Sequence, residues 1–201
     1  MTILKRTRLK IIFCCIVITI LIGVWYWHWQ APYRTLISFL RALEQGDVDT
    51  IYALSSYKER NLGLTKELVE RSYYQFLKPI LIKQYQLMRI RRISVTSLKP
   101  ELWIRQYSVP FVLYFLSADS KRIIVLSPVV RYPGEYRWCI PFSYFVYRTA
   151  NAIYNDRLKS FELLHKLGFK VILNDLGDTR NVKSALDWER FIRYQYILPS
   201  Q

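Results

Sequence analysis

The sequence predicts an α+β fold: an N-terminal transmembrane helix, then helices packed on a curved antiparallel sheet, then a C-terminal helical extension. Three observations carry this. Residues 11–33 contain no charged side chain. From residue 32 to about residue 80, apolar residues recur at helical spacing. After about residue 85 the period changes to two, and residues with strand preference dominate.

The apolar run IIFCCIVITILIGV is continued by an aromatic cluster containing Trp25, Trp27 and Trp29. At about 1.5 Å per residue, some 20 residues cross a hydrocarbon core of about 30 Å. Trp and Tyr favour the headgroup level, which makes the cluster an outer interfacial belt. Lys5, Arg6, Arg8 and Lys10 precede the run and place the N-terminus in the cytoplasm, with the body outside. A cleaved signal peptide shares the basic start and apolar core, but the small-residue cleavage pattern is missing and Trp occupies its place. Cys14 and Cys15 read as small apolar residues of the span, with acylation as the alternative. The expected organisation is a basic tail at 1–10, a transmembrane helix at 11–29, an α+β domain at 30–150 and a helical extension at 151–201.

In the body, Tyr33, Leu36, Ile37, Leu40 and Leu43 make an amphipathic helix over 32–43, ended by Gly46-Asp47. Val48, Ile51 and Tyr52 give a short second helix, broken at Leu62-Gly63. A third starts at Thr65 as N-cap with Glu67 in its first turn, and should bend or stop near Pro79. Strands are expected over 85–98, 103–116, 122–131 and 135–147, joined by turns short enough to force antiparallel neighbours. In the last of these, Tyr136, Trp138, Ile140, Phe142 and Tyr144 alternate to one side. A helix through Leu158, Phe161, Leu164 and Leu167 ends at Gly168, a short apolar run covers 169–173, and a final helix carries Leu186, Trp188, Phe191 and Ile192.

Aromatics form 16% and hydrophobics 52% of the 201 residues, so the body after the span can bury one sizeable core. The formal charge of +15 exceeds what the basic tail supplies, so the body is basic in its own right. That favours solubility or an anionic partner, and it argues about association, not chemistry. Cys139 is the single cysteine of the body, so no disulfide forms within it, and no Asn-X-Ser/Thr acceptor occurs. A bacterial envelope fits both facts.

Catalytic and metal devices find little material. His28 sits in the aromatic belt, and His165 lies near a helix C-terminus, where a cation suits the dipole. No cluster has metal-ligand spacing and no Gly-rich phosphate loop is present, so no cofactor is expected. Asp47 and Asp49 flank a helix start and read as caps, while Asp175 and Asp178 sit in a turn. Basic interleaving remains: Arg89 and Arg91 share a strand face with Arg92 opposite, a pattern that grips an anionic polymer or merely solvates an exposed edge. With the body outside the membrane, acidic lipid headgroups or cell-wall polymer are nearer than nucleic acid.

The stretches FLRALEQGDVDTIYAL (39–54), GLTKELVERSYY (63–74) and PGEYRWCIP (133–141), in an order of helices then sheet, resemble the NTF2-like, cystatin-like α+β cone superfamily over roughly residues 32–147. The 50-residue tail departs from that pattern. The resemblance implies a cone whose interior Tyr73, Tyr107, Phe111, Trp138 and Phe142 would either line as a pocket or fill as core. Membrane-anchored members of such a fold serve cell-wall enzymes or scaffold type IV secretion, without catalysis. The function expected is therefore a membrane-anchored, non-catalytic binding or scaffolding module of the bacterial envelope, with the bilayer and other envelope proteins as partners. The alternatives are a small-molecule-binding or enzymatic cone, and a binder of anionic lipid or wall polymer.

Overall fold

The structure is a computed structural model, and it describes residues 2–61, 63–93, 107–131, 137–171 and 197–199, with side chains over 13–61, 63–93, 108–131 and 137–169. Its first helix, α1 (Thr2–Gln45), has 44 residues and runs unbroken from the apolar segment into the folded body, about 66 Å at helical rise. The sequence suggests two helices here, because Pro32 interrupts the pattern. Proline removes one ladder donor, yet the helix continues through it. Side chains from Phe13 to Trp29 stand exposed, whereas Leu36, Phe39 and Leu43 are fully buried. This helix is long and apolar enough to cross a membrane by length and composition.

Gly46 ends α1 at φ 73°, a left-handed conformation, and a Cβ built there would meet the Tyr73 hydroxyl at 3.0 Å. Asp47 then caps α2 (Val48–Leu54) by accepting from the Thr50 N–H, and these bonds hold its carboxyl below the usual range. The chain breaks next at Ser55-Ser56, earlier than the Leu62-Gly63 step suggests, because Ser55 bridges to Ile140 and the Ser56 N–H donates to the Ile140 carbonyl. A short helix α3 (Tyr57–Asn61) follows. Thr65 caps α4 (Lys66–Ser72) as expected, and a π-helical segment (Tyr73–Ile82) continues it. Of the bend or stop expected near Pro79, the stop does not occur. The wider π turn carries the chain past the missing N–H, and Tyr73, Phe76, Leu77 and Leu81 stay buried.

Three antiparallel strands make the main sheet in the order β1-β2-β3: β1 (Tyr85–Arg92), β2 (Tyr107–Ser117) and β3 (Arg122–Arg131). A bulge at Met88 shifts the β1–β2 register. Parts of the first two expected strands, 94–98 and 103–106, lie outside the described residues.

The fourth expected strand is overturned. Among the described residues of 135–147, only Cys139 and Ile140 make isolated bridges, and Phe142–Tyr154 forms helix α5. Phe142, Phe145, Val146, Thr149, Ala150 and Ile153 repeat at helical spacing and are all buried, a stripe that the aromatic alternation of 136–144 masks. Pro141, awkward in a strand, stands instead at the helix start. Helix α6 (Arg157–Leu167), capped by Asp156 and ended by Gly168 at φ 99°, packs on α5. A two-stranded pair, β4 (Phe169–Val171) with β5 (Ile197–Pro199), follows. The expected helix through Leu186 and Trp188 lies outside the described residues. The core joins α1, α2, α4, the π segment, the inner sheet face, α5 and α6. Ile153, Leu164, Leu167 and Phe169 thus belong to the body's own core.

Candidate functional site

The tryptophans expected at an interface and one of the three arginines expected to meet an anion, Arg92, come together where α1 enters the body. Pro32 leaves the His28 carbonyl without its usual helical donor. The carbonyls on either side of it receive guanidinium groups instead. Arg34 donates to the Trp27 carbonyl at 2.8 Å and stacks 3.6 Å from the Trp27 ring centroid. Arg92, at the end of β1, donates to the Trp29 carbonyl at 3.2 Å and lies 4.2 Å from that ring. Partial burial pulls the Arg92 pKa below its ordinary value, though a guanidinium remains charged. Trp25 stacks on Trp29 at 6.5 Å. Tyr33 meets Phe111 at 6.1 Å and adds an apolar contact between α1 and β2. Cation–π contacts of this kind contribute about 0.5–2 kcal/mol each.

Arg89 and Arg91 point away from this junction and are exposed, while Arg92 is half-buried on the inner side, the division expected from alternation. Lys5, Arg6, Arg8 and Lys10 lie on the first turns of α1. Of the aromatics suggested for a cone pocket, Tyr73, Phe111 and Phe142 are buried in the core. Phe142 packs edge-on to Phe39 at 6.5 Å. Trp138 is partly buried with Arg131 over its ring at 5.3 Å, and the Tyr107 side chain lies outside the described residues. An open cleft of about 550 Å³ lies elsewhere, at the far end of β1 and β2, where Glu44, Lys83, Gln84, Gln86 and Phe115 line it. Charged and amide groups share its rim with apolar ones.

One buried acid escaped the sequence reading. Glu59 on α3 accepts from the Phe142 N–H at 2.7 Å and the Ser143 N–H at 3.1 Å, and the Ser143 hydroxyl also donates to it. Pro141, at the N-cap of α5, has no side-chain oxygen to offer, so Glu59 caps α5 from a distant helix. Enclosure of the carboxyl raises its pKa to about 7 against the three hydrogen bonds that lower it. Both oxygens are committed, and the cleft lies at other residues. The carboxylate is thus built as a cap for α5. No local signal marks it, because 83 residues separate Glu59 from Phe142.

Asp49 pairs with Lys66 at 2.6 Å on the exposed surface, which supports its structural reading and raises the lysine pKa. His165 is exposed in the last turn of α6. Among the described residues no three His, Cys, Asp or Glu gather to hold a metal. No protein-family model, curated protein or solved structure matches the chain.

Proposed function

We propose that the chain is a single-pass membrane protein, N-terminus cytoplasmic, whose extracytoplasmic body is a non-catalytic binding or scaffolding module held rigidly at the bilayer surface. The observation that carries this is the continuity of α1: the helix with exposed Phe13, Ile20, Leu21 and Ile22 is the one that buries Leu36 and Phe39. Exposed apolar side chains at that density suit hydrocarbon and not water. Arg34 and Arg92, bound to the tryptophan belt, would hold the body at headgroup level. The order of helices then antiparallel strands supports an NTF2-like body elaborated by α5 and α6. Commitment of the buried Glu59 to a helix cap supports binding over catalysis.

The test is alkaline carbonate extraction of membranes expressing the full chain, joined to labelling of intact cells with an impermeant maleimide. Leu158→Cys should label, Thr2→Cys should not, and the chain should stay in the pellet. Release into the supernatant, or labelling of position 2, overturns the reading. Crosslinking in the same membranes should then capture defined envelope proteins.

A further inference from the structure

The two faces of the main sheet differ in kind. Phe111, Leu113, Phe115, Ile123 and Val125 are buried against the helices. On the outer face, register sets Arg91, Val112 and Leu126 in one row, Arg89, Tyr114 and Ile124 in the next, and Gln86, Leu116 and Arg122 in a third. Val112, Tyr114, Leu116 and Leu126 are half-buried, Ile124 is 57% exposed, and Met88 at the bulge is 59% exposed. Apolar residues run across β2 and β3, with Arg89 and Arg91 along the β1 side and Arg122 at one corner. None of the three strands contains a carboxylate, and among the described residues none of Arg89, Arg91 and Arg122 makes an ion pair.

We propose that this outer face docks an acidic amphipathic segment of a partner protein, with its apolar side on Tyr114, Ile124 and Leu126 and its carboxylates on Arg89, Arg91 and Arg122. The proposal rests on the tethered binding module and names the partner's chemistry. An apolar patch bordered by groups that stay wet is the anatomy of a protein interface. Arginine forks match carboxylates bidentately, so acid at the partner's rim is the complement. A second copy of this chain fits poorly, since each carries +15. A lipid surface would meet Arg91 and Arg89, one and three residues from Arg92 along β1, but not the far row, so it accounts for only part of the face. Arg92 touches Trp29, but the Gln86–Leu116–Arg122 row lies six residues further along β1, about 20 Å away at about 3.4 Å per residue. That exceeds a Debye length of about 8 Å.

The experiment uses the full chain in phosphatidylcholine nanodiscs with a photoreactive residue at Ile124 or, as a control, at Leu158, which is 74% exposed on α6. The probe is a fluorescent Leu/Glu amphipathic peptide of about five helical turns, compared with an isomer of scrambled phase. The amphipathic peptide should crosslink at 124 and not at 158, and the scrambled one at neither. Arg89→Gln with Arg91→Gln should weaken binding about tenfold, with circular dichroism showing the fold retained. Equal crosslinking at both positions, equal behaviour of the two peptides, copy-to-copy crosslinks through 124, or protection of 124 by phosphatidylglycerol vesicles alone would each overturn the proposal. Carbonate extraction reads the tether separately, so loss of the tether and loss of the docking face are distinguishable.

Discussion

The guanidinium of Arg92 sits 4.2 Å from the centre of the Trp29 ring and donates to the Trp29 carbonyl, joining the end of β1 to α1 across 63 residues of sequence. The two interactions use different properties of one side chain, its charge over a π face and its N–H against an oxygen. The carbonyl bond survives Trp29→Ala, so a double-mutant cycle of Arg92→Ala and Trp29→Ala reads the ring contact alone and should give a coupling of about 0.5–1 kcal/mol in unfolding of the body. Arg92→Lys should lose more than half of it, because an ammonium cannot stack and donate in that plane. A coupling near zero would show the contact to be incidental.

Glu59 sets a pH dependence whose direction follows from its raised pKa. Between its ordinary value of 4.5 and about 7, the folded chain holds a proton that the unfolded chain has released. Stability from this group is therefore full below about 4.5 and falls as pH rises to about 7, by up to about 3 kcal/mol. Denaturant midpoints should drop from pH 5 to pH 8 in the natural chain, and Glu59→Gln should flatten that part of the profile. An equal slope in both proteins would remove Glu59 as its source.

Glu59→Ala removes the cap at every pH. The Phe142 and Ser143 N–H groups would lose their acceptor, at a cost of about 1–3 kcal/mol. Hydrogen exchange should then quicken selectively at the start of α5, while α1 amides keep their protection.

Gly46→Ala should destabilise by about 1–2 kcal/mol, since φ 73° strains an L side chain and the new methyl would press on the Tyr73 hydroxyl at 3.0 Å. Pairing it with Tyr73→Phe relieves only the steric part. Thermal unfolding of the single and paired variants separates the two effects.

Phe39→Ala should cost about 3–5 kcal/mol. Phe39 lies edge-on to Phe145 at 5.1 Å and to Phe142 at 6.5 Å, so its loss opens a void between α1 and α5. Chemical denaturation of the solubilised chain measures it.

Local chemistry was readable where it decides structure locally. Gly46-Asp47, Thr65 and Gly168 announce their helix ends because caps depend on neighbours a few residues away. The start of β1 and the span of β3 follow from composition for the same reason. Residues 136–144 misled because the two-residue alternation and the helical stripe of Phe142, Phe145, Val146 and Thr149 share Phe142, and burial of Phe142 and Phe145 against Phe39 goes with the helix. Arg92 was visible as an interleaved cation, but its partner Trp29 was not, and Glu59 carried no mark at all. Contacts made across 63 and 83 residues leave no periodic trace.

Because α1 passes without a break from its exposed apolar half into the core, no loop separates the two. A chain tethered as proposed would convert helix tilt directly into displacement of the sheet. About 24 Å separates Trp29 from Gln45 at helical rise, so a tilt of about 20° would swing the far end of the body sideways by about 8 Å. Bilayer thickness would thereby act as a mechanical setting, with α1 as the lever arm and the arginine-bordered face as the part it aims.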